Sequence, residues 1–483
     1  MSSSTIYWYD FETFGADPRR DRACQFAGIR TDEDLNIIDE PLVIYCSAAD
    51  DFLPNPFACL VTGITPQVAN RNGIAEAEFI NRINTEFSVP NTCVSGYNSI
   101  RFDDEITRRL LYRNFFDPYE REWKNGNSRW DIIDMLRLCS ATRPEGIEWP
   151  KKENGCVSFK LDQLTVANGI EHESAHDALA DVIATIEMAK LVKAKQPKLY
   201  DYAFHLKDKS KVQAEIDLVT QKPMLHVSMR YPASQGCIAL VMPICTHPVN
   251  KNGVVIYDLS EDPQAWRDLS VGEIKERIQA PKDKLPEGAN RIPLKTLRVN
   301  SCPIVTSQAV LKPEQAEKFQ IDVEACRAHW EQLQGDDEIK KKVITVFSDE
   351  SFPEETDPDL MIYSGGFFSD VDRELMEIVR ATSPNDLERL DLPFRDGRLQ
   401  EMFFRYRARN YPDTLNEADK ERWLNFRKEK ITARETIARF EKDMKKAWQK
   451  VNEEFDEDFR EKGQAVLNEL QDYADELIQS LME

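Results

Sequence analysis

The first 195 residues switch between two hydrophobic periodicities. Segments 6–15 (IYWYDFETFG), 24–31 (CQFAGIRT) and 42–47 (LVIYCS) are rich in β-branched and aromatic residues, which predicts three strands. Segment 75–87 (AEAEFINRINTEF) instead places Ala77, Phe79, Ile80, Ile83 and Phe87 at helical spacings. A further strand is expected at 93–98 (CVSGYN). Helices are expected at 103–115, 131–142, 160–168 and from about Ala175 to Lys195. Strands first, then strands mixed with helices, predict an α/β or α+β domain. A proline after the long helix, in KAKQPKLYDY, marks its end.

Residues 203–350 carry short strand-like runs, CIALVMPICTH, GVVIYDLS, PLKTLRVNSCPIV and KVITVFS, punctuated by Pro, Gly and Asn. They predict a small, mainly-β domain with a few helices. The acidic, proline-containing stretch 348–360 (SDESFPEETDPDL) reads as a linker, and mostly helical patterns follow it. The expected domains are 1–196, 197–350 and 355–483. No repeat of 20–50 residues is visible.

Composition narrows the class. Of the 483 residues, 41% are hydrophobic and 31% charged, as in an ordinary globular protein. No apolar run is long enough to span a bilayer, so no membrane association is expected. The N-terminus MSSSTIYWYD lacks the basic and apolar regions of a signal peptide. The ten cysteines form no CxxC pair, which implies neither a zinc site nor a disulfide framework. A reducing cytoplasm is the expected compartment. The net charge of −22 divides as −9 over 1–200, −2 over 201–350 and −11 over 351–483. It argues against broad nucleic-acid affinity, although a polyanion can still bind where basic residues line one groove.

Three remote segments carry candidate chemistry. Asp10 and Glu12 sit at i and i+2 of the first strand, so both side chains point to one face. Two carboxylates at that spacing repel unless a cation lies between them; an exposed strand end is the bland alternative. In GYNSIRFDDE (96–105) a strand turns into a helix, with Asp103 and Asp104 in its first turn. Acids there are also favoured by the helix dipole alone. In ESAHDALADV (173–182) His176 precedes Asp181 by five residues, about 140° around a helix. The two share a site only if His176 lies at or before the first turn, which Ser174 as N-cap would allow. Carboxylates from three segments with one histidine form the parts list of two-metal phosphodiester cleavage. A histidine is suited to take a proton from an attacking water.

This order and spacing resemble the DEDDh family of 3′→5′ exonucleases. WYDFETFG, GYNSIRFDDE, RNFFDPYEREW, NSRWDIIDMLR, RPEGIEWP, VSFKLDQLT and NGIEHESAHDALADV look like the bacterial exodeoxyribonuclease I branch. SGGFFSDVDRELM and FRYRARNYPDTL extend the likeness past residue 360. The resemblance implies a ribonuclease-H-like exonuclease domain, an SH3-like domain and a helical C-terminal domain. It implies processive digestion of single-stranded DNA to 5′-mononucleotides in DNA repair and recombination. Asp10, Glu12, Asp103 and Asp181 would be the acidic residues and His176 the general base. Asp10, Glu12 and Asp181 would ligate two Mg²⁺ ions, with Mn²⁺ as substitute.

The resemblance also implies a single-strand track. Glu12, Arg108, Tyr119, Trp123, Arg137, Phe159, Lys160, Asn252 and Lys295 would contact the substrate, through phosphate contacts and base stacking. Lys160 stands where the family leads one to expect arginine; the charge is kept and the bidentate fork lost. Arg143, Tyr202, Lys222 and Lys312 match a patch for the acidic tail of the single-stranded DNA-binding protein. Ser307 and Gln334 depart from that pattern. A monomer is expected. The rival readings are an exoribonuclease or proofreading subunit with the same residues, and a non-catalytic DNA-binding protein on a dead nuclease fold. No motif carboxylate is missing, as the latter would require.

Overall fold

The computed structural model describes residues 4–172, 177–281, 284, 285, 290–349 and 355–482. These residues fall into two compact units. The first comprises Met1–Ser128, Glu173–Ile183 and Glu354–Glu483; the second comprises Arg129–His172 and Ala184–Pro353. This spatial grouping and the chain-order division 1–196, 197–350 and 355–483 are different partitions.

The first unit is built on a mixed sheet of β1 (Thr5–Thr13), β2 (Ala23–Asp32), β3 (Leu42–Cys46), β4 (Gly73–Ile74) and β5 (Thr92–Gly96), ordered β4-β3-β2-β1-β5. β1 is central and covered on both faces, which is why its hydrophobic run is continuous rather than alternating. It pairs antiparallel with β2 along its whole length, but parallel with β5 only from Thr5↔Thr92 to Trp8↔Ser95. The last residues of β1 therefore have an open edge on the β5 side. Tyr9, Phe11, Phe26, Phe79 and Phe87 fill one face of the sheet, mostly in edge-to-face contacts.

The C-terminal helices belong to the same unit. Ile362, Met376, Leu399, Met402 and Phe403 pack on Ala77, Tyr112 and Phe115. The antiparallel pair Arg434–Glu454 and Glu457–Ser480 places Phe440, Met444, Leu467 and Leu470 against Phe14, Cys59 and Ile64.

The second unit is centred on a five-stranded antiparallel sheet. Its strands follow β6 (Ser128–Asp131) in the chain: β7 (Met224–Val227), β8 (Ile238–Thr246), β9 (Gly253–Asp258), β10 (Leu294–Arg298) and β11 (Val305–Ser307). Their order is β10-β9-β8-β7-β11. Pro243 cannot donate to a ladder, and the β8–β9 register shifts between Pro243 and Cys245. One expectation is corrected here. KVITVFS is not a strand but the end of a helix, Asp337–Ser348. Asp336 caps it, accepting from the Glu338 and Ile339 amides, and the buried Ile339, Val343, Val346 and Phe347 recur at helical spacing. Capping and periodicity outweigh the β-propensity of Val, Ile and Thr.

Candidate active site

The site forms where β1 outruns β5. Gly96 ends β5 in a tight approach: a Cβ there would lie 2.8 Å from the Tyr9 carbonyl oxygen and 2.9 Å from Ser99 Cβ. The chain turns through Asn98 in the left-handed region (φ 59°) and a 3-10 turn, Ser99–Arg101, into the helix Asp103–Arg113. That turn brings Asp103 to the open edge of β1, where its Oδ1 accepts from the Phe11 amide at 3.3 Å. The amide that β5 no longer reaches is satisfied by a motif carboxylate.

Asp104, the next residue, goes the other way. Its Oδ1 accepts from Tyr9 Oη at 2.8 Å and from Arg121 Nη2 at 2.6 Å, in a fully buried ion pair. Adjacent acids thus take separate roles: Asp104 braces the helix start and Asp103 the open edge of β1.

Asp181 arrives on the first turn of the helix Ala178–Lys195. Asp10, Glu12 and Asp181 each present an oxygen, and the three oxygens lie within 4.8 Å of one another. Glu12 is buried and Asp10 half-buried. Burial, then the charges of Asp181, Asp103 and Asp177, pushes the Glu12 carboxyl up to about 8. Burial, then Asp103, Glu12, Asp181 and Asp177, raises Asp10 well above the ordinary carboxylate range. Neither Asp10 nor Glu12 makes a salt bridge among the described residues. Converging hard oxygens with no basic counter-charge on that pair fit a divalent cation such as Mg²⁺.

His176 and Ser174 lie outside the described residues. The cap seen at this helix is Asp177, whose Oδ1 accepts from the Ala180 amide at 3.1 Å. Asp177 was not singled out from the sequence, although an acid just before a helical pattern is a capping signal.

Family models match three consecutive stretches of the chain: an exonuclease over residues 7–189, the exonuclease I SH3-like domain over 207–349, and the exonuclease I C-terminal domain over 356–477. Exodeoxyribonuclease I of Escherichia coli (strain K12) is 46% identical over 430 residues, which is 89% of this chain and 90% of that enzyme. The chain belongs to the exodeoxyribonuclease I family. Its fold is accordingly an exonuclease domain, an SH3-like domain and a helical C-terminal domain. The crystal structure of E. coli exonuclease I in complex with a dA16 oligonucleotide matches with a TM-score of 0.94 at 43% identity, covering 98% of this chain and 100% of that one. The crystal structure of SSB/exonuclease I in complex with an inhibitor matches with a TM-score of 0.90 at 42% identity, covering 99% and 100%.

The expected substrate contacts of this exodeoxyribonuclease I family member are placed unevenly. In the first unit, Trp123 is 65% exposed and free to stack. Arg108 lies over the half-buried Tyr119 ring at 5.5 Å. Its guanidinium is held by Glu122 (2.7 and 3.0 Å) and Glu105 (2.8 Å), so a phosphate would compete with two carboxylates. Tyr363 joins this group unforeseen; its Oη donates to Glu105 at 2.6 Å and accepts from Arg108 at 3.3 Å. In the second unit, Arg137 lies over Phe159 at 5.7 Å, and Lys160 is exposed at the start of the helix Leu161–Ala167. Asn252 Oδ1 accepts from Lys209 at 2.6 Å. Lys295 turns its ammonium onto the Tyr231 ring at 3.7 Å.

Of the residues expected to form a tail patch, Arg143 donates to the Val310 carbonyl at 3.4 Å, two residues before Lys312, and Tyr202 donates to the Val305 carbonyl at 2.7 Å. No hydrogen bond or ion pair joins Lys222 to them among the described residues. Ser307 and Gln334 are otherwise engaged: Ser307 Oγ accepts from the Ala309 amide and Gln334 donates to the Thr220 carbonyl.

Proposed function

We propose that this chain is a Mg²⁺-dependent 3′→5′ exonuclease that digests single-stranded DNA processively to 5′-mononucleotides, in DNA repair and recombination. The observation that carries this reading is the convergence of Asp10, Glu12 and Asp181 oxygens within 4.8 Å, in a chain that matches exodeoxyribonuclease I over 89% of its length. Bound divalent cations would activate a water and stabilise the leaving oxygen of the scissile phosphodiester.

The chain's own residues do the rest. Asp10, Glu12 and Asp181 would hold the two cations, and Glu12 would also contact the terminal nucleotide. Asp103 fixes the edge of β1 through the Phe11 amide and adds negative charge. His176, proposed from the family motif, takes the proton from the attacking water. Exposed Trp123 offers a ring to a base, and the exposed ammonium of Lys160 offers a point charge to a phosphate. Arg108, Tyr119, Arg137, Phe159, Asn252 and Lys295 complete the proposed track.

The functional domains are proposed as 1–196, 197–350 and 355–483. Action as a monomer is part of the proposal. Among the described residues no helix is long and apolar enough to cross a membrane, and all ten cysteines are free thiols. These features accord with a reducing cytoplasm. The SSB/exonuclease I relative supports docking of that protein's acidic tail near Arg143, Tyr202 and Lys312, with Lys222 as an outlying charge.

One gel tests the reading. A 5′-labelled single strand with Mg²⁺ should shorten progressively from its 3′ end; matched RNA and duplex DNA should persist, and EDTA should stop digestion. Shortening of RNA at the DNA rate would replace the proposed substrate. His176→Ala should slow the reaction roughly 10²–10⁴-fold, the usual range for losing a general base.

A further inference from the structure

A guanidinium meets a phosphate best edge to edge, with Nε and one Nη each donating to its own oxygen. On Arg108 that edge is already taken. Nε donates to Glu122 Oε1 at 2.7 Å and Nη2 to Glu122 Oε2 at 3.0 Å, so one carboxylate fills both places that two phosphate oxygens would take. The remaining nitrogen, Nη1, donates to Glu105 at 2.8 Å and to Tyr363 Oη at 3.3 Å. The two acids are not equivalent. Glu105 stands in the first turn of the helix Asp103–Arg113, three residues before Arg108, and both its oxygens accept from Tyr363 Oη, at 2.7 and 2.6 Å. Glu122 closes a single 3-10 turn, Glu120–Glu122, beside the exposed Trp123. Glu105 and the Tyr119 ring, over which Arg108 lies at 5.5 Å, already fix the direction of the guanidinium. Glu122 adds a second anion, on the edge a phosphate would use. The side chains of Arg108 and Glu122 are each 11% exposed, so their pair is stronger than a surface ion pair and still opens to solvent.

We propose that Glu122 stands in for a DNA phosphate: it holds the Arg108 edge while the protein is free and is exchanged for a backbone phosphate when a single strand binds. Glu122 is then a positioning residue that acts through Arg108 and sets how long that phosphate is held. A strand digested from its end shifts its phosphates along the track after each cut, and a carboxylate ready to retake Arg108 eases each release. A guanidinium without such a competitor would hold its phosphate longer, chiefly through slower dissociation. The proposal rests on the reading of Arg108 as a phosphate contact of the track.

The test is the fluorescence anisotropy of a labelled single-stranded dT oligonucleotide titrated with the full-length protein in EDTA, where no cutting occurs. Glu122→Gln keeps the shape and an acceptor for Arg108 but loses the charge. It should bind the strand about fivefold more tightly, the scale of one competing ion pair, with most of the gain in a slower dissociation rate. Glu122→Ala, a second neutral replacement, should repeat the gain. Glu120→Gln removes an equal charge from the same turn, but from a residue that pairs with Lys124 at 2.8 Å, and should change affinity less than about twofold. In an Arg108→Ala background Glu122→Gln should gain nothing. Wild-type affinity in both Glu122 variants overturns the proposal, and so does weaker binding, which the loss of a mere brace would give. An equal gain from Glu120→Gln, or a gain that survives in Arg108→Ala, overturns it too. Arg108→Ala alone separates the two levels. If it weakens binding while Glu122→Gln does not tighten it, only the role of Glu122 fails. If it leaves affinity unchanged, Arg108 is no phosphate contact and the track itself is misassigned.

Discussion

Two sets of acids occupy the same compact unit and meet opposite surroundings. Asp51, Glu76 and Asp359 are met by bases: Asp51 Oδ2 accepts from Lys430 at 2.8 Å and Arg409 at 2.9 Å, with Arg22 at 3.5 Å. Glu76 accepts from Arg113 and Asn114, and Asp359 from Arg409 and Arg405. Burial opposes ionisation in all three, but the cations win and hold the carboxyls down, Glu76 to about 2. Asp10 and Glu12 meet other acids, and burial and repulsion act in the same direction to push them up. The chain thus has the means to neutralise buried acids with arginine and does so where three segments are joined. Beside Asp10 and Glu12 no such partner is found among the described residues, which fits the proposal that their counter-charge comes from solution.

The largest way to break this contrast is Asp10→Asn. It should cut single-strand digestion roughly 10⁴-fold, several kcal/mol of lost charge stabilisation, with the EDTA melting temperature unchanged or raised. A variant that stays active, or unfolds, would place Asp10 in the wrong set. Asp51→Ala should do the reverse. Taking the shared acid from Lys430, and leaving Arg22 only Glu76 and Arg409 only Asp359, should cost about 3–5 kcal/mol in urea melts, with the rate per folded molecule preserved.

The pH dependence separates the sets by sign. Glu76 is depressed in the folded state, so the stability it contributes is present above the unfolded carboxylate value and is lost as pH falls from about 4.5 toward 2. Glu12 is raised, so its contribution is present at low pH and is lost as pH rises from about 4.5 through 8. In EDTA, the wild-type unfolding free energy should therefore fall relative to Glu12→Gln across that upper window, by at most about 1.4 kcal/mol per pH unit. Saturating Mg²⁺ should erase the difference. The smallest effect on digestion is expected of Asp104→Asn, which takes the counter-charge from the buried Arg121 at about 3–5 kcal/mol of stability and leaves catalysis intact. Its neighbour Asp103→Asn should lose activity instead.

Much of this was legible before the fold. Asp10 and Glu12 on one strand face, Asp103 at a helix start and Asp181 on the last helix of the domain follow from period and position, and the structure places each as expected. What separates Asp103 from Asp104 is not in the local pattern. Arg121, which claims Asp104, is 17 residues away, and the free amide of Phe11 exists only because β5 stops early. Asp177 escaped notice because its hydrogen bonds are those of any cap. The KVITVFS run misled because β-branched residues dominate it, while its cap, Asp336, lies six residues before the run begins. The arginine network around Asp51 joins residues more than 350 positions apart and leaves no mark on periodicity.

A crystal grown or soaked with Mn²⁺ and measured at the manganese absorption edge tests the central claim most directly. Anomalous density between the Asp10, Glu12 and Asp181 oxygens is the predicted result. Manganese bound elsewhere, with those three side chains held apart or paired to bases, would contradict it.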